Sequence, residues 1–478
     1  MPVRSANNRR WWTLIGVTFA IFMTTLDNTV VNVALPSIQR DLGLGRSGLE
    51  WVVNAYILAF ATLLLTGGRL ADLFGRRRLF LTGLTLFTGA SLFGGFAASQ
   101  AELVTARGLQ GAGAALLTPT TPAIIAAAFP DMKERGKAIG LWAATSALAF
   151  AVGPVTGGAI AQHIHWSWIV WINVPVGLVG WLIARSAINE SRDENAMRRI
   201  DVAGLALSSA AMLALVYALI EGNSHGWASP LILGLLAVAA VGFGAFLWTE
   251  RRASAPMLEL SLFRDRTFAS GNVLQLISGF GIFGIYFFLS LYVQGILGFS
   301  PTKAGLVFVP MALLITVVAP TSAKVVERVG AAATIGGGML ISAAGFLLLE
   351  RVGQGASFAD LVPGLLLIGG GGGLTTPLIG TVLARVPVEK SGVASGVLNT
   401  MRELAASLGI AVTGAILASR ESAAIAHGAT HATAFVDGYR IGLYTSAAVM
   451  SAGALLALIT LRRENEKAEP LVAAPEAA

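Results

Sequence analysis

The 478-residue chain contains no cysteine, so it forms no disulfide, carries no thiolate nucleophile and offers no cysteine metal site. It is also short of charge. Asp, Glu, Lys and Arg make up 12% of its residues, about half the roughly 25% of a soluble domain. That shortage excludes a soluble globular enzyme and a disordered chain. No Gly-x4-Gly-Lys-Ser/Thr phosphate cradle is present, and no polar stretch is long enough to fold as a nucleotide-binding domain. ATP hydrolysis is therefore not expected, nor is any enzymatic activity, since no intramembrane His/Asp cluster or serine nucleophile motif occurs. The five histidines, His163, His165, His225, His427 and His431, all fall in expected external loops, and no metal site is expected. The i,i+4 pair His427 and His431 lacks a third ligand.

What the chain has in abundance is apolar surface. Hydrophobic residues make up 55%, mean hydropathy is +0.72, and the apolar runs approach 20 residues, the length of a membrane-crossing helix. Fourteen such segments are expected. They are Trp12–Leu35, Leu49–Thr66, Leu79–Ala98, Ala101–Phe129, Gly136–Ala161, Trp168–Ile188, Val202–Ile220, Pro230–Trp248, Phe268–Val293, Ala304–Ala323, Ala333–Leu349, Leu361–Leu383, Val393–Ala418 and Ile441–Leu461. The stretch after Arg9-Arg10 is too long for a signal-peptide core and reads as the first span. With the N-terminus inside, cytoplasmic segments hold 25 of the 33 Lys and Arg and external loops hold 6. That bias follows the positive-inside rule and places both termini in the cytoplasm. The net charge of +7 flanks spans rather than forming a stripe, so no nucleic-acid partner is expected.

A weak internal duplication runs through the chain. Gly68–Gly75 matches Ala323–Gly330 at an offset of 255, Ala151–Ile160 matches Ser407–Ile416 at 256, and Gly111–Pro119 resembles Gly369–Pro377 at 258. Three collinear matches pair segments one to six with nine to fourteen in the same orientation, leaving seven and eight as an insertion. The expected fold is thus an all-α polytopic membrane protein with two parallel six-helix halves. Its divisions are an N-terminal half over 12–188, a linker with the two extra helices over 189–250, a C-terminal half over 251–461 and a disordered tail over 462–478. Parallel halves suit a carrier with its site near the midplane between them.

Polar residues inside the spans are few. Asp27 lies about fifteen residues, or roughly 22 Å, into segment one at 1.5 Å per residue. A carboxylate there costs about 2.5–3.5 kcal/mol on insertion scales and by default marks a pathway or a pair. Arg107 in segment four lies close enough to its outer end to reach Asp27 or to snorkel to external headgroups, and Gln110 follows one turn further in. Between segments two and three, Gly68-Arg-Leu-Ala-Asp72-Leu-Phe-Gly75-Arg76-Arg77-Arg78 combines turn-forming glycines with an acid that can accept from an arginine or a helix N-terminus. In segment five, Gly153-Pro154-Val-Thr-Gly157-Gly158 combines small residues for close helix approach with a helix-bending proline.

With Leu26-Asp27-Asn-Thr-Val-Val-Asn32-Val-Ala-Leu-Pro36, these stretches resemble the 14-helix drug:proton antiporters (QacA/EmrB-like) of the major facilitator superfamily. The resemblance runs from segment one to segment fourteen. It implies proton coupling at Asp27 and Arg107, a conformational latch at Gly68, Asp72, Gly75 and Arg76, and an antiporter motif at Gly153, Pro154, Gly157 and Gly158. Leu73 stands where the family usually has a basic residue, and Ser167 where it usually has Arg. The segment-five motif is the reason to expect export rather than uptake. Glu403, beside Arg402 in segment thirteen, reads as a second proton site, a cation-binding carboxylate or a paired structural acid. Asn32, Gln110, Trp142, Phe283, Tyr286 and Phe287 are candidate substrate contacts.

The expectation is a proton-coupled exporter of amphipathic drugs, antibiotics or a secondary metabolite in the cytoplasmic membrane. It is driven by the proton gradient without a cofactor, is surrounded by lipid and acts as a monomer. An uptake symporter and a non-transporting sensor or assembly subunit are the alternative readings.

Overall fold

A computed structural model describes residues 6–192, 201–253, 256, 258–386 and 391–461. The tail expected to be disordered, 462–478, lies outside the described residues. Among the described residues all regular structure is helical. The helices are α1 (Ala6–Leu42), α2 (Arg46–Phe74), α3 (Arg76–Gly94), α4 (Gln100–Leu117), α5 (Thr120–Ala128), α6 (Met132–His163), α7 (Trp168–Trp171), α8 (Asn173–Ala187) and α9 (Val202–His225). They continue as α10 (Pro230–Glu250), α11 (Arg266–Leu291), α12 (Pro301–Val307), α13 (Val309–Val329), α14 (Ala331–Glu350), α15 (Phe358–Thr375), α16 (Pro377–Leu383), α17 (Ser391–Ala426) and α18 (His431–Thr460).

Thirteen helical stretches among the described residues are long and apolar enough to cross a membrane. The segment expected at Leu79–Ala98 is helical as α3 but falls outside that set, because three arginines occupy its first turn. It nonetheless packs along α4, where a Cβ on Gly83 would come within 2.7 Å of the Gly113 carbonyl oxygen.

Several expected spans are two helices joined at a proline. The span expected over Ala101–Phe129 breaks between α4 and α5 at Pro119, and that over Leu361–Leu383 breaks between α15 and α16 before Pro377. Proline lacks the N–H that would continue the ladder and clashes with the preceding turn. Pro119 and Pro377 are repeat-related in sequence, and so are Gly75 and Gly330, which both adopt positive φ, +108° and +84°. Each of these glycines joins two consecutive helices, where a side chain would be strained.

Two faces organise the bundle. One, called here the terminal face, holds the start of α1 and the end of α18. The opposite face holds the α1–α2 turn, the α6–α7 turn and the α17–α18 turn. In the first half α1 packs on α6 and α8, and α4 on α2 and α3; in the second, α11 packs on α17 and α18, and α14 on α15 and α18. The halves meet where α2 lies against α17 and α6 against α12. The inserted α9 and α10 pack on each other, and α9 also touches both α2 and α17. It is tied to both, by Trp51 Nε1 donating to Glu221 (3.2 Å) and Asn223 Nδ2 donating to the Ala415 carbonyl (2.9 Å). The five histidines all lie at the opposite face, at the ends of α6, α9 and α17 or the start of α18.

Candidate functional site

Asp27 sits in the middle of α1 with its side chain sealed from solvent. Three donors converge on its carboxylate. Arg107 Nη1 lies 2.5 Å from Oδ2, while Gln110 Nε2 and Asn173 Nδ2 donate to Oδ1 at 3.1 and 2.7 Å. Arg107 and Gln110 are one turn apart on α4, so both project toward α1, and Arg107 Nη1 also donates to Gln110 Oε1 at 2.8 Å. The guanidinium is fixed further by Nε donating to the Val52 carbonyl (3.2 Å) and by the Tyr56 ring, whose centroid lies 4.5 Å from its Cζ. Gln110 Nε2 donates in addition to Ser91 Oγ on α3 (2.7 Å). Five helices of the first half thus enclose one ion pair. Arg107 does not snorkel, because it is 1% exposed and its donors face inward.

Glu403 is also buried, but its Oε1 accepts from the neighbouring Arg402, Nη2 at 3.0 Å and Nε at 3.3 Å. Its position is thus that of a paired acid. Arg402 is half-exposed and lines a cavity of about 210 Å³ between α11, α15, α16 and α17. Gln275, Ser278, Phe283, Thr375 and Thr376 share that lining. Drug-sized sites occupy about 300–1,000 Å³, and this cavity is smaller than that.

The aromatic candidates separate. Phe283 lines the cavity. Tyr286 is buried against Phe308, centroids 4.3 Å apart, with Phe150 on the same cluster. Phe287 is fully buried against Phe288, and Trp142 is half-buried against the core. Asn32 donates to its own helix at the Asn28 carbonyl (2.9 Å), and Gln110 belongs to the Asp27 enclosure.

The segment between α2 and α3 closes on a residue that sequence reading did not single out. Asp72 accepts from Arg76 Nη2 at 3.1 Å. Glu190, after α8, accepts from the Arg77 backbone N–H at 3.0 Å and approaches Arg78 Nε at 3.7 Å. A Cβ on Gly75 would fall 2.5 Å from Glu190 Oε1, so Glu190 caps the start of α3 where the helix dipole favours an acid. Gly68 has ordinary room, facing only Pro119.

The segment-five glycines do two jobs. A Cβ on Gly153 would lie 1.9 Å from Thr29 Oγ1, and one on Gly157 would lie 2.7 Å from the Val30 carbonyl oxygen, so both let α6 approach α1. Gly158 faces the other way, 2.2 Å in the same sense from the Pro301 carbonyl oxygen of α12, and Gly305 reciprocates against the Pro154 carbonyl oxygen at 2.2 Å. The motif therefore forms one contact between the halves, at the opposite face. Thr302 N donates to Gln162 Oε1 beside it (3.1 Å), and Arg46 of α2 pairs with Glu421 of α17 on the other side.

Sequence reading gave Asn173 no role of its own and missed Ser91, Tyr56 and Glu50. Asn173 and Ser91 carry a weak signal as polar residues within apolar segments. Tyr56 and Glu50 carry none, since an amphipathic tyrosine and an acid one residue inside a span are ordinary in sequence.

A family model described as "Major Facilitator Superfamily" matches residues 17–410 and 272–476. The chain belongs to the major facilitator superfamily. Among curated relatives of this superfamily member, the Multidrug resistance protein Stp of Mycobacterium tuberculosis is 38% identical over 420 residues, covering 88% of this chain and 78% of Stp. The Puromycin resistance protein pur8 of Streptomyces alboniger is 36% identical over 483 residues, covering 98% and 96%. The Tetracenomycin C resistance and export protein of Streptomyces glaucescens is 35% identical, covering 88% and 78%. Among solved structures, a bacterial homologue of the human lysosomal transporter Spinster, inward-facing and occupied, superposes with a TM-score of 0.67 at 17% identity, covering 95% and 97%. An auto-inhibited POT family peptide transporter superposes with a TM-score of 0.69 at 15% identity, covering 98% and 99%. At such identities the likeness is one of fold. The chain is a multi-pass membrane protein of a transporter family.

Proposed function

We propose that this protein exports amphipathic drugs, antibiotics or a secondary metabolite in exchange for protons. The reading rests on one observation above the rest, the buried Asp27–Arg107 pair. An ion pair sealed among helices is a poor stabiliser, because desolvation offsets most of the Coulomb gain, so its presence points to use. Protonation of Asp27 removes the charge that Arg107, Gln110 and Asn173 are gathered around, and so couples proton binding to the packing of α1, α4 and α8. The relatives' names, multidrug, puromycin and tetracenomycin C resistance, supply the substrate class.

In this reading the two six-helix halves rock about the α2–α17 and α6–α12 contacts, with fourteen crossings and the terminal face in the cytoplasm. The contacts at the opposite face then make the described state one closed to the outside. Arg76 and Asp72 hold their part of the latch in reserve on the cytoplasmic side, and Phe283 and Arg402 line part of the substrate path.

Ethidium movement into energised everted vesicles tests this. Wild type should accumulate the dye, a protonophore should collapse the accumulation, and Asp27→Asn should abolish it. Full-rate uptake in Asp27→Asn vesicles would sink the mechanism, and movement in the reverse direction would favour an uptake carrier.

A further inference from the structure

The closed contact at the opposite face is not symmetric. Between α6 and α12 it is backbone on backbone, Gly158 against Pro301 and Gly305 against Pro154. The sequence repeat relates Gly158 to Gly414 at an offset of 256 and Gly305 to Glu50 at 255. Between α2 and α17, accordingly, Gly414 faces Glu50, and a Cβ on Gly414 would lie 2.3 Å from Glu50 Oε1. One half therefore has a hydrogen atom where the other has a carboxyl group. Glu50 is 2% exposed, and no hydrogen bond to its carboxylate occurs among the described residues.

Its charged surroundings do not compensate it. On its own helix, Arg46 is one turn away and is already paired with Glu421 of α17. From α9 the neighbour is another acid, Glu221, with His225 3.9 Å from it. From α18, His431 lies 3.8 Å from Glu421 rather than at Glu50. Arg420 of α17 lines a groove between α9, α17 and α18, and on α4 Arg107 is committed to Asp27. Two carboxylates, Glu421 and Glu50, thus share Arg46, and the more deeply buried of them has no donor. With 2% of its surface exposed and no donor, a bare carboxylate there is disfavoured far more than a neutral carboxyl, which has no charge to desolvate.

We propose that Glu50 is a proton-binding residue of the contact between the halves, separate from Asp27: the contact closes around its neutral carboxyl and parts when the carboxylate takes its charge. The sign follows directly. Acid favours the closed contact and alkali favours the parted one, in which water reaches the charge. Only the statement that the responding medium is external rests on the orientation proposed above. On that orientation, external protons drive the emptied carrier back toward the cytoplasm.

The absence of cysteine makes the test direct. Spin labels on the exposed His163→Cys and Ser422→Cys positions report the distance between the halves at this face. In lipid nanodiscs, a short-distance population at pH 5 should give way to a longer one by pH 9. One linked proton changes their ratio by up to about tenfold per pH unit. Glu50→Gln should hold the short distance throughout, whereas Glu221→Gln should keep the pH response. A parent distance that ignores pH, or a Glu50→Gln protein that responds like the parent, would each overturn the proposal. Because the distances are read on purified protein, they are independent of the vesicle assay, whose failure would count against the exporter reading alone.

Discussion

Asp27 shows how a single intramembrane acid is made tolerable. Its oxygens take three hydrogen bonds from Arg107, Gln110 and Asn173, and Arg107 and Gln110 are held in turn by the Val52 carbonyl and Ser91. Removing one partner of a buried pair is much worse than removing both, because the survivor keeps its desolvation cost. Arg107→Met should therefore destabilise the protein by about 3–5 kcal/mol, and Asp27→Asn combined with Arg107→Met should recover a large part of that loss. Unfolding of a membrane protein is commonly irreversible, so thermal-inactivation half-life in detergent is the suitable readout. Equal half-lives for the single and double variants would contradict the argument. At this scale the sequence revealed Asp27, Arg107 and Gln110, since a charge within an apolar run is visible without a structure. Asn173 was given no role of its own, because nothing in the sequence tells which of α8's faces turns toward α1.

Among elements, closeness is set by glycine and interruption by proline. The turn glycines Gly75 and Gly330 could have been read from the sequence; the breaks at Pro119 and Pro377 could not, since Pro36, Pro154, Pro320 and Pro363 lie inside unbroken helices. Which helix each small residue of α6 faces could not be read either. Gly153 and Gly157 lie against α1, whereas Gly158, one residue on and about 100° around the helix, lies against α12. Gly158→Ala should accordingly disfavour the closed contact at the opposite face, since the obstacle is the Pro301 carbonyl rather than a movable side chain. The labelled His163→Cys/Ser422→Cys pair should report a longer distance at every pH, while Gly108→Ala, which meets open space, should leave it unchanged. At the terminal face, Glu190→Gln removes a charged acceptor from the start of α3. Capping contributions of about 0.5–2 kcal/mol predict a modest fall in thermal stability, with the vesicle assay largely retained.

The whole molecule adds the relation between the halves and the place of the inserted pair. Helix α9 is bound to α2 through Trp51 and to α17 through Asn223, so the insertion lies across the contact between halves. Sidedness is open to the same cysteine-free chemistry. A membrane-impermeant maleimide should modify Ser422→Cys in intact cells and leave Lys137→Cys untouched until the vesicles are everted. The reverse pattern would invert the proposed orientation.

The sequence alone determined that this chain is a polytopic helical membrane protein with a repeat. Apolar run length, charge placement and collinear motifs are one-dimensional quantities, and the bilayer makes them decisive. It also nominated the ion pair, because an acid and an arginine inside spans have few alternatives to each other. Tertiary structure alone decided which groups share a contact across the halves. Burial of Glu50 against Gly414, the cap from Glu190 and the different surroundings of Phe283 and Phe287 all depend on how helices far apart in the chain turn toward one another. Rotation of a helix by one residue, about 100°, exchanges a cavity wall for a packed core, and no local pattern in so apolar a sequence specifies that rotation.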